Sequence, residues 1–152
     1  MTSGRPKILL IGYGNPGRLD DGLGPALAAK VDESSLEGVT VDSAYQLTVE
    51  DSSDVSKHDI VIFADAAVKG KGPFFFEEIR SRSPMSLSSH SVAPEAVLFF
   101  AETMFNSKTR AYVLGIRGYE FNEFEERLSN PAKKNLEEAF KFIEGFVKSG
   151  NW

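Results

Sequence analysis

The chain has 152 residues, 41% of them hydrophobic and 26% charged, so we expect a single domain over residues 1–152 with one core. Its net charge of −5 and its scattered Lys and Arg residues argue against nucleic acid as a partner. Because the sequence contains no cysteine, disulfides, thiolate metal sites and a thiol nucleophile are excluded.

The N-terminal residues 1–7 are basic, but the apolar run that follows them at residues 8–11 is short. A signal-peptide core or a membrane-spanning helix needs a much longer apolar segment. We therefore expect a cytoplasmic protein with no membrane partner.

Strand and helix patterns alternate along the first half of the chain. The apolar run at residues 7–11, stopped by Gly12, predicts a buried parallel strand, and apolar residues at helical spacing predict a helix over 22–31. A second strand is predicted at 39–41, and a capping box at 48–51 opens a short helix that ends near residue 57. A third strand follows at 60–63 and leads into Ala64, Asp65 and Ala66.

The second half continues the same alternation. Turn residues at 70–73 and an acidic pair at 77–78 favour a fourth strand over 74–79, antiparallel at an edge. A helix is predicted at 94–105, a strand at 111–114, and a final helix that begins at Pro131 and ends before Gly150. Alternating strands and helices predict an α/β protein: a phosphorylase/hydrolase-like three-layer α/β/α sandwich with a mostly parallel twisted sheet.

Acidic residues follow two of the predicted strands. In open parallel sheets ligands bind at the carboxyl ends of the strands, where the strand order reverses. If strands one and three flank that point, the loops carrying Asp20, Asp21 and Asp65 face each other. His90 lies in the polar segment 86–91, so two carboxylates and an imidazole are candidates for one shared site.

Each of these residues also has a structural interpretation. Asp21 alone could be the N-cap of the first long helix, and hydrogen bonds to loop backbone would suffice for Asp65. His90 could be a hydrogen-bonded loop residue. His58, at a predicted helix end, is interpreted as an exposed capping residue.

The first loop formally matches a dinucleotide-binding fingerprint. Gly12-Tyr-Gly-Asn-Pro-Gly17 has the spacing Gly-x-Gly-x-x-Gly, and Asp42 ends the second strand where a ribose-binding acid would lie. However, residues 18–21 separate the third glycine from the helix and place two carboxylates where a pyrophosphate would bind. A Rossmann-like nucleotide-binding module therefore stays as an alternative function.

Four motifs, taken in order, resemble the hydrogenase maturation proteases. They are Gly12-Tyr-Gly-Asn15, Asp20-Asp-Gly-Leu-Gly24, Phe63-Ala-Asp65-Ala and Ser89-His90-Ser-Val-Ala-Pro94-Glu. The likeness extends from Lys7 to the last helix and includes Gly115-Ile-Arg-Gly-Tyr-Glu-Phe121. The resemblance implies that Asp21, Asp65 and His90 are both the metal ligands and the catalytic residues, with a supporting role at most for Asp20.

The same resemblance implies an activity and a partner. The family trims the C-terminal extension of a nickel–iron hydrogenase large-subunit precursor after nickel insertion, so the nickel would be carried by the precursor. Segments 16–18 and 42–47 depart from the family pattern and leave open which hydrogenase is processed. No Gly-x-Ser-x-Gly nucleophile motif is present, and the general base is Asp21 or Asp65. A non-catalytic nickel-sensing chaperone is a second alternative.

Overall fold

The computed structural model describes residues 4–84 and 92–152. Five strands form one sheet in the order β2-β1-β3-β5-β4. Neighbouring strands pair in parallel except β4, which runs antiparallel to β5 at one edge. The strands are β1 (Ile8–Tyr13), β2 (Val39–Ala44), β3 (Ile60–Ala67), β4 (Phe74–Ile79) and β5 (Arg110–Arg117). The predicted mostly parallel sheet with an antiparallel edge strand is therefore confirmed.

The described residues also form four α-helices and a short 3₁₀ helix, and the last of these helices follows the final strand. The 3₁₀ helix (Leu19–Gly22) leads into α1 (Leu23–Ser34), and the later helices are α2 (Asp51–Ser56), α3 (Pro94–Phe105) and α4 (Asn130–Ser149). The start of α4 is fixed by Ser129, whose hydroxyl accepts a hydrogen bond from Ala132 N at 3.3 Å. Within the described ranges, no helix has the combined length and apolar character needed to cross a membrane.

The helices cover both faces of the sheet and give two cores. Successive side chains of a strand point to opposite faces, so alternate residues of β1 and β3 enter different cores. Ile8 and Leu10 pack with residues of α1 and α4, whereas Leu9 and Ile11 pack with residues of α2 and α3. This arrangement is the predicted three-layer α/β/α sandwich.

The observed elements differ from the predicted ones mainly in length. β3 continues to Ala67 because it stays paired with β5, so Asp65 lies within a strand and not in the loop after it. The second helix is shorter than predicted and begins at Asp51, whose carboxylate accepts a hydrogen bond from Thr48 N at 2.8 Å. A capping box has two hydrogen bonds, and this is one of them. The other, from Asp51 N to the Thr48 hydroxyl, is not formed among the described residues.

Candidate active site

The strand order reverses between β1 and β3. From β1 the chain passes to β2 on one side, and the later parallel strands β3 and β5 are added on the other side. The carboxyl ends of β1 and β3 therefore flank the crevice where open α/β sheets bind ligands. Asp21 follows β1, and Asp65 lies near the end of β3. The topology thus places both residues at the edge of the sheet that the sequence indicated, and their convergence on one site stays a prediction.

The glycines of the first motifs allow α1 to pack directly on the ends of the two strands. A Cβ atom on Gly24 would lie 2.3 Å from the carbonyl oxygen of Tyr13 and 2.6 Å from that of Ala64. A Cβ on Gly12 would lie 2.1 Å from the carbonyl oxygen of Gly24. Because real Cβ atoms do not approach so closely, side chains are sterically forbidden here. The 3₁₀ helix separates the glycine loop from α1, whereas in the dinucleotide-binding fingerprint the glycine loop leads directly into the helix.

Asp21 does not cap α1, so the N-cap interpretation is wrong. The N-cap of α1 is Gly22, and no side chain caps it. Instead, Oδ2 of Asp21 accepts a hydrogen bond from the backbone N–H of Asn15 at 2.8 Å. This bond fixes the carboxylate against the glycine loop, and no hydrogen bond from the described residues reaches Oδ1.

Asp65 carries the most perturbed carboxyl group at this edge of the sheet. Burial, together with the negative charge of Asp21, raises the pKa of Asp65 from its ordinary value of 3.8 to about 6. A hydrogen bond from Ala66 N to Oδ1 at 2.8 Å and the Tyr13 hydroxyl oppose this rise. A carboxyl group with such a pKa at the edge where open α/β sheets bind ligands is a candidate catalytic group.

Sequence reasoning missed two polar residues near this end of the sheet: Tyr13, whose hydroxyl hydrogen-bonds Asp65, and Glu95, whose charge acts on Tyr13. Tyr13 is the last residue of β1 and points to the same face of the sheet as Leu9 and Ile11. Burial and the charges of Asp65 and Glu95 raise the pKa of the Tyr13 phenol, so it stays protonated at neutral pH. Glu95 lies in the first turn of α3, the helix that covers this face. Side chains of a strand alternate between the two faces of the sheet, so the sequence positions of Leu9, Ile11 and Tyr13 could have predicted that Tyr13 lies on this face.

Asp20 is a structural residue, in agreement with its predicted supporting role. Its side chain is 0% exposed and accepts hydrogen bonds from Tyr119 N, Glu120 N, Ser129 N and Ser129 Oγ at 2.7–3.0 Å. Burial alone would raise the pKa of Asp20, but these hydrogen bonds outweigh it and lower the pKa. Asp20 thus ties the 3₁₀ helix to the segment between β5 and α4, which holds the neighbouring Asp21 in place.

Asp20→Asn is expected to destabilise the protein, because an amide cannot accept all four hydrogen bonds and its NH₂ group would face donors. The loss should be about 2–4 kcal/mol in urea unfolding at pH 7. Since the folded pKa is lowered, the stabilisation by Asp20 exists above the unfolded pKa and disappears as pH falls through the folded one. Asp32→Asn, an exposed substitution on α1, is the matched control and should change stability little. Equal stability of the two variants would contradict this role.

His90 lies outside the described residues, so its predicted convergence with Asp21 and Asp65 stays a prediction. Across residues 4–84 and 92–152, no group of three or more potential ligands from His, Asp and Glu is close enough to hold a metal ion.

The other histidine, His58, has the predicted capping role. Its Nδ1 lies 2.7 Å from the carbonyl oxygen of Asp54 at the end of α2, although the residue is half-buried and not exposed.

Comparison with known proteins gives structural matches alone, since no protein-family model and no curated protein matches the chain. The first match is a nickel–iron hydrogenase maturation protease from Thermococcus kodakarensis, with 22% identity, a TM-score of 0.74, and coverage of 96% of this chain and 95% of that one. A hydrogenase 2 maturation peptidase from a Thaumarchaeota archaeon matches with 21% identity, a TM-score of 0.68, and coverage of 93% and 98%.

A third similar structure is the hydrogenase maturating endopeptidase HybD from Escherichia coli. It has 15% identity and a TM-score of 0.67, and the match covers 95% of this chain and 94% of that one. At these identities the matches establish the fold, which is that of the hydrogenase maturation proteases over nearly the whole chain. The resemblance stated from the sequence motifs is confirmed at this level.

Proposed function

We propose that this protein is an endopeptidase that removes the C-terminal extension of a nickel–iron hydrogenase large-subunit precursor after nickel insertion. The observation that carries the proposal is the pair Asp21 and Asp65 at the point where the strand order reverses, in a chain with the fold of the hydrogenase maturation proteases. The proposal therefore joins a site with suitable chemistry to a fold whose named examples are maturation proteases.

Nickel is proposed to reach the site as part of the substrate. The charge of Asp21 already opposes ionisation of Asp65, and a divalent cation between the two carboxylates would relieve this repulsion. His90 is the proposed third ligand. Two carboxylates and one imidazole leave coordination positions open on nickel, which groups of the precursor or water could fill. The protein would complete a nickel site that the precursor presents, without holding a metal tightly by itself.

Hydrolysis requires a base that removes a proton from the attacking water. Asp21 and Asp65 are the two candidates for this base, and burial raises the pKa of Asp65 to about 6 in the nickel-free protein. After attack on the scissile carbonyl carbon, the same proton can pass to the departing amine as the C–N bond breaks. Nickel engagement would fix the scissile bond near this base and so favour the reaction by proximity.

The deciding experiment compares nickel-loaded and nickel-free precursor. The protein is incubated with each form, and the C-terminal fragment is followed by mass spectrometry. We expect cleavage of the loaded form and at least roughly 100-fold slower cleavage of the nickel-free form, because without nickel the scissile bond is not positioned. Equal cleavage of the two forms would show that the tail sequence, and not the metal, is recognised.

Two other outcomes would identify the alternative functions. Binding of the loaded precursor without any cut would favour a nickel-sensing chaperone. Stabilisation of the fold by NAD or ATP in a thermal-shift assay would favour a nucleotide-binding module, because a ligand specific to the folded state must raise the melting temperature. Either outcome would overturn the proposed endopeptidase.

A further inference from the structure

Asp65 belongs to a row of residues that crosses the sheet on one face. Asp65 pairs with Gly115 of β5, and Gly115 pairs with Phe75 of β4. Val61 and Phe63 enter the core formed with α2 and α3, so Asp65, at the next position of the same parity, points to that face. By the same alternation Gly115 and Phe75 point there too. The row thus reaches from the candidate base to an aromatic residue on the edge strand.

The ring of Phe75 occupies the space above Gly115. A Cβ atom added to Gly115 would lie 2.2 Å from Cε2 and 2.4 Å from Cζ of Phe75. An edge-strand side chain is free to turn towards solvent, yet this ring turns inwards over the residue that pairs with Asp65. The absence of a side chain on Gly115 is what allows the ring to lie over the residue between Phe75 and Asp65.

Phe75 is not explained by a role in the core. Its neighbours Phe74 and Phe76 point to the opposite face, where both rings pack on Phe142 with centroid distances of 5.2 Å and 4.8 Å. Phe75 belongs to neither core cluster and remains 41% exposed. An exposed aromatic ring one strand away from a desolvated carboxyl group is the kind of surface that binds an apolar group of a ligand.

We propose that Phe75 determines substrate specificity: its ring, lying over Gly115, forms an apolar wall beside Asp65 that receives an apolar side chain next to the scissile bond. This inference rests on the proposed endopeptidase function. The wall would orient the substrate backbone towards the carboxyl group and exclude water from one side of it. Gly115 serves the same purpose indirectly, because any side chain at that position would displace the ring.

The test is a double-mutant cycle between protein and substrate. Wild type and Phe75→Ala are assayed on nickel-loaded precursor, and on precursors in which each residue flanking the cut is replaced in turn by Gly. For the unmodified precursor Phe75→Ala should lower kcat/KM about 10–100-fold, because an apolar pocket contact is lost. For one of the Gly-substituted precursors the two proteins should cleave at similar rates, because the partner of the ring is already gone.

Phe105→Ala is the matched control, since Phe105 is 45% exposed at the far end of α3, away from the carboxyl edge. It should cleave all precursors like wild type. Gly115→Ala should reproduce the defect of Phe75→Ala, and the double variant should be no worse than either single one. Thermal unfolding of each variant separates this result from a loss of fold.

The possible results separate the two hypotheses. If wild type cuts the precursor and Phe75→Ala cuts it equally well, or is equally impaired on every precursor, the specificity role is wrong while the endopeptidase function stands. If wild type does not cut any nickel-loaded precursor, both are wrong. A defect that disappears with one Gly-substituted precursor would establish the contact and identify the substrate position that makes it.

Discussion

Asp65→Asn is expected to abolish precursor cleavage while making the protein more stable at neutral pH. The amide can neither accept the proton of the attacking water nor supply a negative charge to nickel, so kcat/KM should fall by orders of magnitude. The variant should nevertheless fold, because Asn can keep a carbonyl oxygen on the N–H of Ala66 in place of the present hydrogen bond.

The gain in stability follows from the raised pKa of Asp65. A folded pKa of about 6 against an ordinary value of 3.8 means that the ionised carboxylate destabilises the folded state above pH 6. Removing that charge should add about 1–2 kcal/mol to the free energy of unfolding at pH 7–8, less than the full shift implies because the amide needs partners of its own. The gain should shrink as pH falls from about 6 to about 4 and vanish below about pH 3, where Asp65 is protonated in both states.

Urea unfolding of wild type and Asp65→Asn at pH 4 and pH 8 measures this difference, with Asp32→Asn as an exposed control. A variant that loses stability at pH 8 would show that Asp65 stabilises the fold as an ion, as Asp20 does. A variant that gains stability and keeps normal cleavage would show that Asp65 takes no part in the reaction. We expect a variant that is more stable and inactive, which is typical when a charged side chain is needed for function but lowers the free energy of unfolding.

The architecture could be predicted because its signals are local. Each signal depends on residues that are neighbours in the sequence: the apolar run predicted β1, the helical spacing predicted α4, and the turn residues predicted the start of β4. Patterns of this kind can be recognised before any long-range contact is known. The crevice could also be located, because the rule that ligands bind where strand order reverses needs only the order of the elements. The ends of β3 and β5 were missed because they depend on pairing between strands that are distant in sequence.

The residues near Asp21 and Asp65 were harder to predict, because their positions depend on contacts between strands that are distant in sequence. Nothing near Phe75 in the sequence indicates that its ring lies over Gly115, and the pairing of β4 with β5 is needed to see it. Asp20 and Asp21 are adjacent and chemically identical, yet Asp20 is buried with four hydrogen bonds, whereas Asp21 accepts one from the glycine loop at Asn15 N. The sequence resemblance separated them, whereas composition and spacing alone could not.

His90→Gln tests the residue on which the ligand and structural interpretations differ most. A nickel ligand must present a neutral imidazole nitrogen, whereas a histidine that braces a loop needs to keep only one hydrogen bond. Glutamine preserves the approximate size and some hydrogen bonding but binds nickel poorly. If His90 is a ligand, the variant should keep nearly normal thermal stability and lose cleavage of nickel-loaded precursor by orders of magnitude, and raising the pH should not restore activity.

His58→Gln is the matched control, because the chain has two histidines and the His58 ring hydrogen-bonds the carbonyl oxygen of Asp54 at the end of α2. It should lose some stability and cleave the precursor normally. A His90→Gln protein whose residual cleavage follows its folded fraction would show that His90 braces the loop. Normal cleavage by folded His90→Gln would leave Asp21 and Asp65 as the site, and nickel would then have to be held mainly by the precursor.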